Sequence, residues 1–488
     1  MTQAVREPSS LARAAARGSA VTLVGQVGRL VIQFASIALL ARLLGSEDYG
    51  YLAMVLAIVG VAELLRDFGL SSAAIQSREL SAGQHSNLFW LNTLAGLLAS
   101  LGVLAVAPLV ALLYGEPRLV TIAQALAPVF LVNGMATQFR ARLNRDLRFV
   151  ALTVCDVVPQ VAGFAAAVLL AYRWHSYWAL VAQQLVLAVV GLVLAALIAR
   201  WRPSLPLRGV GLRSQLRFGS NLFVTNLMSY GVNNSQVVMV GAVWGAGVLG
   251  FFSRAYQLMV IPLTQLIGPL TKVALPILSR VSDDPPRYAR IVGRAQLLGL
   301  YGTAPFFLFC CGAATPLLHV ALGPSWAPSI PVFAVLTAGA AFRAMSQLAF
   351  WLFLSSGSTR EQRRLNAIAY PCLVALMAAG LPWQGIGVAV GHTVGYALYW
   401  PVSLFFACRA SGVALAPLAR TAARVFAVVG LGVLAVAYAV TRSGLPDVAA
   451  LAVAALACAA YVALVVRLTP GGRADARVLA EFARSLRR

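Results

Sequence analysis

Residues 177–199 read YWALVAQQLVLAVVGLVLAALIA, and the chain continues directly with Arg200, Trp201 and Arg202. The run contains no charged side chain. A helix needs about 20 apolar residues to cross the hydrocarbon core of a bilayer. We therefore predict that this segment spans a membrane and ends at a basic connector.

Similar runs recur along the whole chain. The sequence of 488 residues is 60% hydrophobic and 11% charged, whereas about a quarter of the residues of a soluble domain are charged. We therefore predict an all-α polytopic membrane protein with about 14 transmembrane helices. The predicted spans are 19–41, 51–72, 86–113, 120–138, 151–171, 177–199, 217–240, 250–278, 295–319, 329–354, 365–381, 385–407, 425–441 and 447–466.

The basic residues alternate between the connectors. Every second connector, together with the two tails, holds 30 of the 38 Lys and Arg residues. Short loops rich in these residues stay on the cytoplasmic side. The pattern predicts a multi-pass membrane protein with both termini cytoplasmic. Because topology accounts for the net charge of +23, we do not expect binding to nucleic acid.

A glycine-containing turn occurs twice along the sequence. Gly45 and Gly50 correspond to Gly245 and Gly250 at an offset of 200. A repeat of six spans preserves orientation in the membrane, as in transporters whose substrate path lies between parallel repeats. We predict a cytoplasmic tail (1–18), an N-terminal six-helix lobe (19–199), a cytoplasmic linker (200–216), a C-terminal six-helix lobe (217–407), two additional helices (425–466) and a basic cytoplasmic tail (467–488).

Polar residues form stripes on the first and seventh predicted spans. In the first span Arg29 shares one helical face with Gln33. In the seventh span Asn226, Asn233 and Gln236 are similarly spaced. Ionisable groups inside a bilayer cost about 2.5–3.5 kcal/mol each and usually face a bundle interior or a water-filled cavity. These stripes predict a central cleft, although hydrogen bonds between helices would explain the amides equally well.

The second and eighth spans carry further charges. Glu63, Arg66 and Asp67 occupy adjacent turns at the end of the second span. They predict an internal ion pair, or a gate or ion-coupling site. Arg254 and Lys272 of the eighth span are eighteen residues, or about 27 Å, apart along a helix. Each is a candidate contact for an anionic head group, unless Lys272 extends to the interface instead.

Several segments resemble one family of exporters: GQVG (25–28), ARLLGSEDYG (41–50), FWLN (89–92), RLNRDLRF (142–149) and SRAYQL (253–258). Together they are similar to the polysaccharide-exporter, or oligosaccharide flippase (Wzx-like), family of the multidrug/oligosaccharidyl-lipid/polysaccharide superfamily. The similarity covers roughly residues 18–360. It implies two six-helix lobes that give alternating access to a central cavity.

The resemblance also implies the location, which is the bacterial cytoplasmic (inner) membrane, and the cargo. It predicts a flippase that moves a polyprenyl-pyrophosphate-linked oligosaccharide to the outer leaflet for capsule or exopolysaccharide assembly, without a cofactor or a metal. Arg29, Arg254 and Lys272 would bind the anionic head group, because arginine suits a pyrophosphate. Gln33, Asn226, Asn233 and Gln236 would shape the sugar cavity. A polysaccharide polymerase and a chain-length regulator are the partners to expect, beside membrane lipids.

Two other functions compete with this prediction. A cation-coupled multidrug exporter of the same superfamily would need an acidic pocket for cationic cargo, whereas the charges inside these spans are mainly basic. A membrane glycosyltransferase or polymerase would need a positioned acid or base, often with a metal. No paired carboxylates on a large loop meet that need, so we expect a transporter and not an enzyme.

Overall fold

A computed structural model describes residues 8–67, 81–206 and 213–485, with side chains at 24–66, 81, 83–206 and 227–481. All regular secondary structure in these ranges is helical, which confirms the predicted all-α class. The chain divides into two compact units, Met1–Gly250 and Phe251–Arg488.

The described residues of the first unit form six helices and the beginning of a seventh. These are α1 (Pro8–Leu43), α2 (Ser46–Asp67), α3 (Ala82–Tyr114), α4 (Arg118–Arg145), α5 (Phe149–Trp174), α6 (Trp178–Ala199) and the part of α7 (Arg213–Arg280) up to Gly250. Helix α4 packs on α3, α2 and α6, while α5 packs on α1 and α6. The connectors α1–α2, α3–α4, α4–α5 and α5–α6 are two or three residues long, so the helices that they join run back and forth.

The second unit begins within α7. It continues with α8 (Pro285–Gly312), α9 (Ala314–Ala321), α10 (Ser329–Met345), α11 (Gln347–Ser355), α12 (Thr359–Ala379), α13 (Gln384–Ser411), α14 (Leu415–Arg424), α15 (Leu431–Thr441), α16 (Asp447–Leu468) and α17 (Pro470–Ser485). Helix α13 packs on α10 and α12, and α15 packs on α8 and α16. A π-helical turn, Val425–Gly430, joins α14 to α15.

The number of spans differs from the prediction. Among the described residues, eleven helices are long and apolar enough to cross a membrane, or twelve if the bent pair Thr359–Ala379 and Leu381–Ser411 forms one span. One of the eleven, Leu227–Arg280, is 54 residues long and contains a kink at Gly245, which lies between the predicted spans 217–240 and 250–278. The count of fourteen is therefore not confirmed. The protein is nevertheless a multi-pass membrane protein, and large apolar side chains such as Leu98, Leu169 and Leu456 are more than half exposed on its helices.

The local sequence explains where α3 begins and ends. The Ser81 hydroxyl accepts a hydrogen bond from the Gln84 backbone N–H at 3.1 Å, and the Gln84 side chain accepts one from the Ser81 N–H at 3.0 Å. This capping box satisfies N–H groups that the first turn leaves without partners. The helix ends at Gly115, whose φ of 66° is left-handed and terminates the helix at little cost.

Glycines bring α3 and α4 into close contact. A Cβ atom on Gly96 would lie 2.6 Å from the Phe130 carbonyl oxygen, and one on Gly134 would lie 2.6 Å from the Asn92 carbonyl oxygen. The Gln138 amide also donates to Asn92 Oδ1 at 2.9 Å. Small residues allow membrane helices to approach closely, and amides bond across the interface. This interface fixes the position of α4, which carries several cavity residues.

The repeated turns also lie in the first unit and contact each other. A Cβ atom on Gly50 would lie 1.9 Å from the Ala246 carbonyl oxygen, and one on Gly250 would lie 1.8 Å from the Ser46 carbonyl oxygen. Gly245 interrupts α7 with a φ of 76° and a ψ of −175°. Of the glycines that the two turns share, Gly50 and Gly250 are therefore the pair that the backbone contact requires.

The helix α17 is held to the rest of the second unit by a buried carboxylate. Asp475 is 5% exposed and accepts hydrogen bonds from Arg424 Nη2 at 2.8 and 2.9 Å. It also accepts one from the Tyr301 hydroxyl at 2.8 Å. At the exposed end of the same helix, Glu481 pairs with Arg294 at 3.2 Å. The two ion pairs differ mainly in burial.

We expect Asp475→Ala to lower the free energy of unfolding by about 2 kcal/mol, because Arg424 and Tyr301 lose their shared acceptor inside the protein. Glu481→Ala is the matched control on the same helix. It removes an exposed pair, which contributes about 0–1 kcal/mol. Thermal unfolding of both purified variants in detergent, with protease cleavage of α17 as a second readout, measures the difference. Equal effects of the two substitutions would contradict the assigned role of Asp475.

Candidate functional site

The first unit contains a cavity of about 710 Å³ bounded by α1, α2, α4, α5 and α6. Apolar side chains such as Leu64, Leu152 and Leu187 form part of its wall. Its charged and polar lining residues are Arg29, Glu63, Arg66, Asn133, Thr137, Arg140, Asn144, Asp156 and Gln160. Three arginines against two carboxylates leave the lining with one net positive charge.

Arg66 is fixed by bonds within the protein. Its Nε and Nη2 donate to the two carboxylate oxygens of Glu63 at 3.1 and 2.6 Å. Its Nη1 donates to the Asn133 carbonyl oxygen at 3.2 Å and to the Thr137 hydroxyl. The residue is 8% exposed, so this guanidinium joins α2 to α4. The side chain of Asp67, the third member of the predicted gate, lies outside the described residues.

Arg140 and Arg29 share a different carboxylate. Arg140 Nη2 donates to Asp156 Oδ1, and Arg140 Nη1 donates to the Cys155 carbonyl oxygen at 3.2 Å. Arg29 Nη1 lies 4.0 Å from Asp156 Oδ2. These side chains remain accessible, because the exposed fractions are 44% for Arg29, 39% for Arg140 and 32% for Asp156. The pair of arginines forms the accessible basic part of the cavity.

Amides extend the polar lining beside this cluster. Gln160 lies one turn beyond Asp156 on α5, and its Oε1 is buried without a hydrogen-bond partner among the described side chains. Asn144 lies one turn beyond Arg140 on α4. An acceptor that is buried without a bond costs free energy until a donor occupies the site. The cavity thus combines anion-binding groups with an acceptor suited to a hydroxyl.

Among the described side chains of the first unit, the other predicted residues Gln33, Asn233 and Gln236 do not line this cavity. Gln33 is half-buried on α1, one turn beyond Arg29. On α7, Gln236 is 1% exposed and its amide donates to the Asn233 carbonyl oxygen at 3.2 Å. The side chain of Asn226 lies outside the described residues. A cavity role for these amides stays a prediction.

Arg254 and Lys272 belong to the second unit, on the later part of α7. Arg254 is half-buried and Lys272 is exposed. On α10 of the same unit, Arg343 lies 3.5 Å from the Tyr256 hydroxyl and 5.2 Å from the centre of the Tyr396 ring. The predicted contact of Arg254 and Lys272 with an anionic head group remains a prediction.

Sequence reasoning missed Arg140, Asn144 and Gln160. It ended the fourth span at residue 138, whereas α4 continues to Arg145, and so it placed Arg140 in a cytoplasmic connector. A signal was present in the spacing: Asn133, Thr137, Arg140 and Asn144 recur every three or four residues and share one helical face. Asp156 and Gln160 show the same spacing on α5.

A basic cavity within a bundle of apolar helices, lined by both charges and amides, is the architecture of a multi-pass membrane transporter. The family is shown by sequence comparison. The chain belongs to the polysaccharide biosynthesis protein family, whose model matches residues 39–331, more than half of the chain. The predicted resemblance to polysaccharide exporters is confirmed. Arg66, Arg140 and Asp156 lie inside the matched segment, and Arg29 precedes it.

Two curated relatives bear names from polysaccharide assembly. The chain is 25% identical over 387 residues to the lipopolysaccharide biosynthesis protein WzxC of Escherichia coli (strain K12), covering 78% of this chain and 77% of the relative. It is 26% identical over 333 residues to the succinoglycan biosynthesis transport protein ExoT of Rhizobium meliloti (strain 1021), covering 67% of each.

Solved structures support the fold. The lipid II flippase MurJ in an inward closed conformation matches with a TM-score of 0.71 at 12% identity, over 91% of this chain and 98% of that one. An inward-facing multidrug resistance MATE family transporter matches with a TM-score of 0.59 at 13% identity, over 79% of this chain and 96% of that one. At these identities the similarity concerns the fold alone.

Proposed function

We propose that this protein is a flippase that moves a polyprenyl-diphosphate-linked oligosaccharide across the cytoplasmic membrane by alternating access, for assembly of a surface polysaccharide. The protein is a transporter and not an enzyme. The observation that carries the proposal is the cavity in which Arg29 and Arg140 lie accessible beside Asp156. Membership of the polysaccharide biosynthesis family supplies the class of cargo.

The chemistry of the cavity fits the head group of such a lipid. A diphosphate carries at least two negative charges, and a guanidinium group donates to phosphate oxygens through a planar fork. The amide side chains of Gln160 and Asn144 would accept hydrogen bonds from hydroxyl groups of the first sugar and donate hydrogen bonds to its oxygens. Apolar side chains of α2, α4, α5 and α6 form the remaining wall, which suits the less polar faces of the sugar rings.

The remaining predicted residues have proposed roles along the same path. Arg254 and Lys272 would contact the anionic head group at other stages of transport, and Asn226, Asn233, Gln236 and Gln33 would contact sugar hydroxyls. The Glu63–Arg66 pair, with Asp67, would act as a gate or ion-coupling element. The distribution of arginines supports cytoplasmic termini, and a polymerase and a chain-length regulator are the proposed partners.

A drug exporter is the alternative that the fold allows, because a MATE family transporter shares it. Cationic cargo requires accessible acidic groups. In this cavity Glu63 pairs with Arg66 and Asp156 pairs with Arg140, so both carboxylates are already neutralised. The net positive lining disfavours a cation and favours an anion.

Deletion of the gene in its host tests the proposal. We expect the mutant to lose surface polymer and to accumulate the lipid-linked oligosaccharide in its membranes, since synthesis continues while translocation stops. A plasmid copy of the wild-type gene should restore both phenotypes. Normal surface polymer without accumulation, in a strain that has no second copy of the gene, would reject the proposed function.

A further inference from the structure

The carboxylate of Asp156 occupies the position between the two accessible arginines of the cavity. We propose that Asp156 is a resident counter-ion, which the diphosphate of the cargo displaces from Arg29 and Arg140 when it binds. This inference rests on the proposed function and adds the mechanism by which the site accepts and releases its anion.

The contacts distinguish two arginines whose bound anion can be exchanged, Arg29 and Arg140, from Arg66, whose bonds are all made within the protein. Arg66 uses all three guanidinium nitrogens within the protein and is 8% exposed. Arg29 instead approaches Asp156 only to 4.0 Å, and 44% of its side chain is exposed. Arg140 holds Asp156 through Nη2 while Nη1 stays on the Cys155 carbonyl oxygen. An incoming anion therefore has to replace only the carboxylate.

Electrostatics explains why the exchange is feasible in both directions. A charged group without a partner inside a bilayer is costly, so Asp156 stabilises the two guanidinium groups while the cavity is empty. A diphosphate brings more charge and more acceptor oxygens than one carboxylate. The displaced Asp156 is 32% exposed and can be hydrated. Competition by Asp156 also weakens binding, which allows the cargo to leave.

A second feature of the same helix suits this exchange. Gln160 lies one turn from Asp156, and its Oε1 is buried without a hydrogen-bond partner among the described residues. A hydroxyl donor next to the diphosphate would satisfy this oxygen. The ligand class that fits is therefore a diphosphate ester that carries a hydroxylated group.

Binding of inorganic pyrophosphate to the purified full-length protein in detergent tests the proposal. We expect Asp156→Asn to bind pyrophosphate about five- to tenfold more tightly than the wild type, because the competing negative charge is gone. Asp156→Glu keeps the competitor and should bind within about twofold of the wild type. Asp447→Asn is the matched control, since Asp447 pairs with His319 in the second unit and should change nothing.

The outcomes separate this inference from the proposed function. The counter-ion role is overturned if a folded Asp156→Asn variant binds pyrophosphate no more tightly than the wild type. Absence of pyrophosphate binding by every form of the protein overturns it as well. If Arg29→Ala and Arg140→Ala then still weaken pyrophosphate binding and export, the proposed function stands without it. If both arginine variants bind and export normally, the proposed use of this cavity fails.

Discussion

Arg140→Ala is expected to reduce export of surface polymer by about tenfold to a hundredfold at unchanged protein abundance. The substitution removes a guanidinium that faces the cavity and holds Asp156. Charge-assisted hydrogen bonds contribute about 1.5–3 kcal/mol each, which corresponds to this range. Surface polymer per cell, divided by the amount of protein in the membrane, is the measurement. The double variant Arg29→Ala/Arg140→Ala should export no polymer.

Two further substitutions make this result specific. Arg118→Ala alters the same helix at its other end, where Arg118 is 60% exposed and pairs with Glu116, and it should leave export near the wild-type level. Arg140→Lys keeps the charge but loses the planar fork, so we expect an intermediate loss. Full export by Arg140→Ala, or an equal loss in Arg118→Ala, would contradict a role of this arginine in cargo binding.

Gly50→Val and Gly250→Val are expected to give the largest losses of stability. Even a Cβ atom at either position would approach a backbone carbonyl oxygen to within 2 Å. A backbone carbonyl cannot relieve such an overlap by a change of rotamer, as a flexible side chain can. Overpacking a close contact costs about 1–3 kcal/mol and sometimes more, and here two turns would have to separate. We expect lower membrane abundance and a clear drop in the unfolding temperature.

Gly102→Ala is the matched control for these glycines. It lies within α3, and a Cβ atom there would meet nothing within 4 Å. Replacing glycine by alanine inside a helix stabilises it by about 0.5–1 kcal/mol when space allows. Thermal unfolding in detergent should therefore rank Gly102→Ala at or above the wild type. Wild-type stability of Gly50→Val would show that the two turns do not pack as described.

The sequence predicted helices well where hydropathy alone sets their limits. The predicted spans 177–199 and 447–466 correspond to Trp178–Ala199 and Asp447–Leu468. Apolar runs of this length have few alternatives in a bilayer, because every backbone group must be bonded internally. The stretch Arg213–Arg280 also agrees with the predicted separation of spans. Gly245 has a non-helical backbone there (φ 76°, ψ −175°), so two helices meet at a kink between the predicted spans 217–240 and 250–278.

The candidate site was only partly accessible to sequence reasoning. A cavity position was predicted for Arg29 because a charged side chain inside a bilayer costs free energy, and Arg29 does line a cavity. Its association with Arg140 and Asp156 depends on the hairpin between α4 and α5, which places the ends of the two helices side by side. Hydropathy had assigned Arg140 to a connector. In the sequence, a charged residue at the end of a span indicates only the orientation of that span in the membrane. The packing of the helices shows that this side chain faces the cavity.

Transport by the purified protein in lipid vesicles tests the central claim most directly. The probe is the lipid-linked oligosaccharide of the host, labelled on its sugar with a fluorophore that an impermeant reductant quenches from outside. We predict that vesicles with the wild-type protein move the labelled sugar between leaflets, and that vesicles with Arg29→Ala/Arg140→Ala do not. Movement no faster than in protein-free vesicles, or equally fast with the double variant, would contradict the account.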